Sequence, residues 1–227
     1  VAGRDLGEGT RLAATTGAWI VFEDEAGQSL RPPKARTWAP QGHTPVVRVS
    51  GSIPARRRMA PGHTPVVRVS GKGSGRVSMA AVVCYRPGQR PRLFYRVLAH
   101  HGRKGERRSF SEDDYATLIV AAHHQLNAPI ILCWDNLNTH HSAAMRTFLT
   151  AHPDWLTVVR LPAYAPDLNP VEGLWAHVKR DLGNHTRPTI DQLTTTIKTL
   201  LTRIQYRPDL IAGFLGQTDL ALNPHPP

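Results

Sequence analysis

Three carboxylates stand where a side chain can do chemistry. Asp24 lies in "FEDEAG" (22–27) with Glu23 and Glu25 beside it, Asp135 directly follows the apolar run "IILCW", and Glu172 comes two residues after Pro170 in "DLNPVEG". Two unit charges about 4 Å apart repel by ~4 kcal/mol at an effective dielectric of 20, so converging carboxylates require a cation. Oxygen-only ligands suit magnesium or manganese. Two such ions ~3.5–4 Å apart can hold the attacking and the leaving oxygen of an in-line phosphoryl displacement.

The elements that must bring these acids together can be read from pattern and punctuation. "GAWIVFEDEAG" (17–27) has the apolar, β-prone run and glycine boundaries of a buried strand that ends in acids. "RVSMAAVVCYRPGQRPRLFYRVLAH" (76–100) reads as two strands joined at Arg86-Pro87-Gly88-Gln89, a hairpin by turn chemistry. Ser111 as N-cap with Asp114 three residues on, and Phe110 with Tyr115 as a hydrophobic staple, announce a helix that stops at Asn127-Ala128-Pro129. "PIILCWDN" (129–136) is a second strand ending in an acid; a helix over about 139–151 and a strand in "WLTVVRLP" (155–162) follow. Asn169 fits an N-cap, Pro170 the first helical position and Glu172 the N3 site, where a glutamate can also close a capping box. A last helix starts at Thr189, with Gln192 completing a capping box and Leu193, Ile197, Leu200, Leu201 and Ile204 on one face. A short helix near 210–215 is compatible with the weakly patterned tail.

This order predicts an α/β fold, a mixed five-stranded sheet flanked by helices. The two acid-ended strands are each followed by a long crossover, which makes parallel neighbours plausible, and ligands gather beyond the carboxyl ends of such strands. Residues 1–16 read as a lead-in, 17–207 as one domain, and 208–227 as a tail.

The 227 residues carry 28 Lys and Arg against 17 Asp and Glu, a formal charge of +11, which favours a polyanionic partner, most simply nucleic acid. No window holds the ~18 apolar residues of a spanning helix, and no signal-peptide pattern opens the chain, so a cytoplasmic protein with no membrane partner is expected. Cys84 and Cys133 sit inside apolar strands and read as buried free thiols. The histidine pairs at 100–101, 123–124 and 140–141 lie on separate elements without metal-ligand spacing.

One feature lies outside a tidy domain. "GHTPVVRVSG" occurs at 42–51 and again at 62–71, inside a twenty-residue tandem duplication that spans 40–80. Two copies are too few for a solenoid. The copy adjoining Lys72-Gly73-Ser74-Gly75 is expected to lead into the hairpin strand, and the other to form an extra edge hairpin or a loop.

Three blocks, "FEDEAG", "WDNLNTHHS" and "YAPDLNPVEGLWAHVK", resemble the signature blocks of DDE transposases of the bacterial insertion-sequence branch of the Tc/mariner superfamily. The resemblance runs from Trp19 to about Arg207, and the third block is its most specific part. It implies a ribonuclease-H-like catalytic domain, two Mg2+ or Mn2+ ions, and catalytic, metal-holding roles for Asp24, Asp135 and Glu172. The residues alone leave Asp24 open against Glu23 and Glu25; the family pattern selects Asp24. It further implies DNA, both transposon ends and target, as substrate, and a homodimer when active. Asn136 and His140 can orient Asp135 or touch the nucleic-acid backbone, with loop and capping roles as alternatives, and Lys179 can contact a phosphate or lie solvated. Trp175 reads as core. Family members carry helix-turn-helix modules ahead of this domain, and the 16 residues before Gly17 have no room for one. The competing expectation is a transposase-derived remnant that binds DNA without sequence specificity and no longer cuts it.

Overall fold

In a computed structural model, the described residues are 2–31, 33, 46–50, 66–70, 75–134, 142–161, 166–183, 189–218 and 220. Their elements run in the order α1 (Ala2–Thr16), β1 (Trp19–Ser29), β2 (Val46–Ser50), β3 (Val66–Ser70), β4 (Arg76–Tyr85), β5 (Arg92–His100), α2 (Glu112–Leu126) and β6 (Ile130–Trp134). Then come α3 (Ala143–Thr150), β7 (Leu156–Arg160), a single 3-10 turn (Pro166–Leu168), α4 (Pro170–Leu182), α5 (Ile190–Gln205) and α6 (Pro208–Leu215).

The expected five-stranded sheet is present in the order β5-β4-β1-β6-β7. β1 occupies the centre, antiparallel to β4 and parallel to β6, and β6 is parallel to β7. Trp19 to Phe22 of β1 pair with Ile130 to Cys133 of β6, so the strand that carries Asp24 and the strand that precedes Asp135 are adjacent and run the same way. β1 does not end at its acids as expected: antiparallel pairing with β4 carries it on to Ser29, so Glu23, Asp24 and Glu25 lie mid-strand, where its pairing with β6 has stopped. The β4–β5 hairpin turns at Arg86-Pro87-Gly88-Gln89. The Gln89 N–H reaches the Arg86 carbonyl at 3.0 Å, and Gly88 takes φ 74°, a value a side chain would strain.

Helices cover both faces. On one, α1, α4, α5 and α6 pack around Ile20, Phe22, Val83, Trp175, Ile197 and Leu201; on the other, α2 and α3 pack around Val21, Val82, Tyr115, Ile119, Leu132 and Met145. α2 begins as its sequence predicts. The Ser111 N–H donates to Asp114 Oδ2 at 2.9 Å, and the Phe110 and Tyr115 rings meet edge to face at 6.0 Å. Burial raises the Asp114 carboxyl, but the Ser111 backbone N–H, Arg107 and the Ser111 hydroxyl outweigh it and hold the group below its ordinary range.

Four further features differ from the sequence expectation. The lead-in forms α1 despite Gly3, Gly7 and Gly9, each worth about 1 kcal/mol against a helix. Packing supplies what propensity lacks, since Ala13 is buried and a Cβ on Gly9 would lie 3.1 Å from Val159 Cγ2 of β7. α3 starts at the Ser142 cap, whose hydroxyl accepts from the Met145 N–H at 3.1 Å, later than the expected start near 139. α6 is part of the core: Ile211 and Phe214 are buried, and the Tyr85 hydroxyl donates to the Ile211 carbonyl at 2.8 Å.

The duplicated segment gives the fourth. Among the described residues neither "VVRVS" strand enters the five-stranded sheet; β2 and β3 pair with each other, parallel and in register, Val46 opposite Val66 through Ser50 opposite Ser70. A hairpin would need a reversal, whereas the intervening residues 51–65 are long enough for the crossover that parallel strands require. No helix among the described residues is long and apolar enough to cross a membrane.

Candidate active site

Strand alternation sorts the three consecutive acids. Side chains on β1 point to opposite faces in turn. Ile20 and Phe22 belong to the cluster under α4, while Trp19 and Val21 belong to the cluster under α2. Asp24 therefore continues the α4 face, and Glu23 and Glu25 the α2 face. Hydrogen bonds agree: Asp24 Oδ2 accepts from the Trp175 indole N–H at 3.1 Å, and Glu25 Oε2 accepts from the Tyr115 hydroxyl at 2.6 Å. Glu23 is buried, at 1% exposure.

α4 is set against β1 from its first turn. Asn169 is its N-cap: Oδ1 accepts from the Val171 N–H at 3.1 Å, and Nδ2 donates to the Glu23 carbonyl at 3.1 Å. One amide thus caps the helix and ties it to the strand next to Asp24. Pro170 occupies the start of the helix, where its missing N–H costs nothing. Val171, Leu174, Trp175 and Val178 form the buried face. Gly173 lets α6 approach, because a Cβ there would lie 3.2 Å from the Phe214 ring.

Between the two ties, at Asn169 and Trp175, lies Glu172 in the first turn of α4, exposed. It lies three residues before Trp175, one turn nearer the helix N-terminus and on a neighbouring part of the helix surface. The predicted capping box does not form; the carboxylate points to solvent and the cap is made by Asn169 alone. Lys179 is exposed in the last turn, where a cation also complements the helix dipole.

β6 ends at Trp134, fully buried, one position before Asp135 in sequence. Asp135, Asn136 and His140 lie outside the described residues. Among the described residues no group of three His, Cys, Asp or Glu could hold a metal ion. Asp24 and Glu172 nevertheless offer only carboxylate oxygens, the donor chemistry that magnesium and manganese take.

Several other titratable groups have structural duties. Cys84 and Cys133 are free and buried as expected, and burial raises both thiols, Cys133 to about 12. His123 stacks on Trp155 at 4.0 Å. His101 holds Glu106 Oε1 at 3.2 Å through Nδ1 and Asp191 Oδ1 at 2.9 Å through Nε2, pinning the β5–α2 loop to α5. Sequence reasoning placed Trp175 in the core correctly, at 1% exposure, but missed its N–H contact with Asp24 and the Asn169 link to β1. The three-residue spacing of Asn169, Glu172 and Trp175 was the available signal.

A family model described as DDE superfamily endonuclease matches residues 49–194. Among solved structures, the mariner Mos1 paired end complex with Mg is similar at 15% identity and a TM-score of 0.55, over 95% of this chain and 58% of that one. The Mos1 transposase catalytic domain with raltegravir and Mg is similar at 13% identity and a TM-score of 0.51, over 94% of this chain and 88% of that one. These likenesses give the ribonuclease-H-like fold. The chain thus spans little more than half of the transposase in the paired end complex. A comparison with curated protein sequences finds no match.

Proposed function

This chain belongs to the DDE superfamily endonucleases, and on that premise we propose that it is the catalytic domain of a DNA transposase of the bacterial insertion-sequence branch of the Tc/mariner superfamily. In this reading it cuts DNA at a transposon end and joins the freed 3′-hydroxyl to target DNA. The observation that carries the proposal is the double tie between β1 and α4, Trp175 to Asp24 and Asn169 to the Glu23 carbonyl. A helix needs no such attachment to a single strand for packing alone, and the effect is to hold a strand acid and a helix acid in a fixed relation.

Asp24, Asp135 and Glu172 are the residues that would hold Mg2+ or Mn2+, two ions by the family pattern. When bound, the ions would neutralise the carboxylates and stabilise charge on the attacking and leaving oxygens of the phosphodiester. Trp175 orients the Asp24 carboxylate by donating to one of its oxygens. Asn169 fixes the helix end from which Glu172 projects. Asn136, His140 and Lys179 are assigned to positioning, the first two near Asp135 and Lys179 on a phosphate. The charge of +11 favours DNA through phosphate contacts, whose affinity falls steeply with salt. The active form is proposed to be a homodimer that engages two DNA ends.

The test is nicking of supercoiled plasmid with Mg2+ or Mn2+, together with thermal melting with and without the metal. Wild type should nick only with metal and melt higher in its presence, because the ion relieves repulsion between carboxylates of the folded state. Asp24→Ala, Asp135→Ala and Glu172→Ala should each lose nicking by about a hundredfold or more and most of the metal-induced melting shift. Equal metal responses in wild type and the triple variant would reject the shared site. The duplication favours a second reading, a chain that binds DNA and no longer cuts; DNA binding with no metal-dependent nicking in wild type would select it.

A further inference from the structure

A concave site at the hairpin-turn side of the sheet has no part in the acid cluster. Its volume is about 400 Å³, and Arg90, Arg92, Phe94, Gln125, Gln205 and Tyr206 line it. Arg92 pairs with Cys84, which pairs with Val21, so the site lies three residues from Asp24 along the strands, about 10 Å, and two strands across, another ~10 Å. Tyr206, the residue that ends α5, is 79% exposed, although an aromatic ring of that size is normally covered. Arg90 and Arg92 are exposed, and among the described residues neither has a carboxylate within ion-pair distance. Gln205 is anchored, its Nε2 donating to the Leu93 carbonyl at 2.8 Å, which holds the last turn of α5, and with it Tyr206, against β5.

We propose that this concavity is a second nucleic-acid site, in which Tyr206 stacks on an unpaired base and Arg90 and Arg92 hold the flanking phosphates of single-stranded DNA. A flat aromatic ring beside two arginines is the arrangement that binds single strands with little sequence preference, because every base has a π-face and every nucleotide a phosphate. Duplex DNA keeps its bases stacked inside and has none to offer the ring. The volume suits a single nucleotide rather than a helix. The inference shares with the proposed function only the premise that DNA is bound, and its test is independent of cutting.

Fluorescence anisotropy with a labelled oligo-dT and with a hairpin duplex of matched length, in the absence of divalent metal, measures both affinities in the full chain. Tyr206→Ala should weaken oligo-dT binding about tenfold and duplex binding less than twofold, while Tyr206→Phe, which keeps the ring, should stay within twofold of wild type. Arg90→Gln with Arg92→Gln should weaken oligo-dT binding and reduce the salt slope by about 1.4, two phosphate contacts at ~0.7 each. The same losses should appear in an Asp24→Ala background, so failure of the catalytic proposal leaves this one standing and the reverse. An unchanged oligo-dT affinity in Tyr206→Ala, or equal losses for single strand and duplex, would overturn it. So would a fall in self-association without a change in DNA binding, which would make Tyr206 part of a protein interface.

Discussion

The Trp175 indole N–H donates to Asp24 Oδ2 at 3.1 Å across 151 positions of sequence, so a buried ring of α4 fixes an acid of β1. Trp175→Phe keeps most of the buried aromatic volume and removes the donor. Hydrogen bonds to charged groups contribute roughly 1.5–3 kcal/mol, and urea melts should show a loss in that range. Metal-dependent nicking should fall at least tenfold under conditions where the variant remains folded. A variant that loses stability but cuts at the wild-type rate would mean that Asp24 does not need this orientation.

Asn169→Ala removes a cap and a strand tie together. The cap is worth about 1 kcal/mol. Leaving the Glu23 carbonyl without its donor in a buried setting adds ~1–3 kcal/mol, so the total loss should be about 2–4 kcal/mol by denaturant melts. Asn169→Ser restores an acceptor for the helix N–H groups and cannot reach the strand. It should recover about 1 kcal/mol of the loss; full recovery would show that the strand tie contributes nothing.

The His101 cluster predicts a pH window. The hydrogen bond to Asp191, followed by that to Glu106, raises His101 above its usual 6.5 against a smaller opposing effect of desolvation. The Arg103 backbone N–H first, then those of His101, lower Glu106 below its usual 4.5. A raised histidine stabilises the fold fully below 6.5 and loses that contribution as pH rises through its folded value. A lowered carboxyl stabilises it above 4.5 and loses that as pH falls through its folded value. The cluster therefore contributes most between about pH 4.5 and 6.5. NMR titration should show the His101 midpoint above the usual histidine range in wild type and lower in Asp191→Asn; an unmoved midpoint would contradict the contact.

Excising residues 52–71 leaves "GHTPVVRVSGKGSGRVSMA" and removes the only strand partner that β2 has among the described residues. The five-stranded sheet contains neither β2 nor β3, so its stability should change by less than about 0.6 kcal/mol, the loop-closure cost of one doubling of length. Light scattering should show less aggregation, because one β-prone strand has been removed. A markedly less stable deletion variant would show that the small parallel pair supports the main sheet.

The elements legible in the sequence were those written by local chemistry. The β4–β5 turn needs Pro87 and Gly88 at adjacent positions, and α2 announces itself through Ser111, Asp114 and the Phe110–Tyr115 pair, all within a few residues of one another. α1 was not legible, because its glycines argue against a helix and the close contact of Gly9 with β6 and β7 is visible only in the fold. The pairing of β2 with β3 was hidden for a different reason. Identical strands offer several partners of similar energy, and sequence cannot rank them. At the candidate site, Asp24 and Asp135 were legible as acids that follow apolar runs and Glu172 as an early acid of a helix, but which of Glu23, Asp24 and Glu25 faces α4 is tertiary information.

The run Glu23-Asp24-Glu25 on an alternating strand has a consequence for errors of the chain. A deletion or insertion of one residue upstream in β1 would rotate every following side chain to the opposite face. In most strands such a slip would replace a functional group by a hydrophobic one. Here an acid stands on each side of Asp24, so a slip in either direction still presents a carboxylate to α4, one methylene longer than the original. The frame of the strand is in this sense redundantly coded at the position where the chemistry is proposed to occur, and a variant with a shifted β1 would lose the Trp175 contact before it lost negative charge at the site.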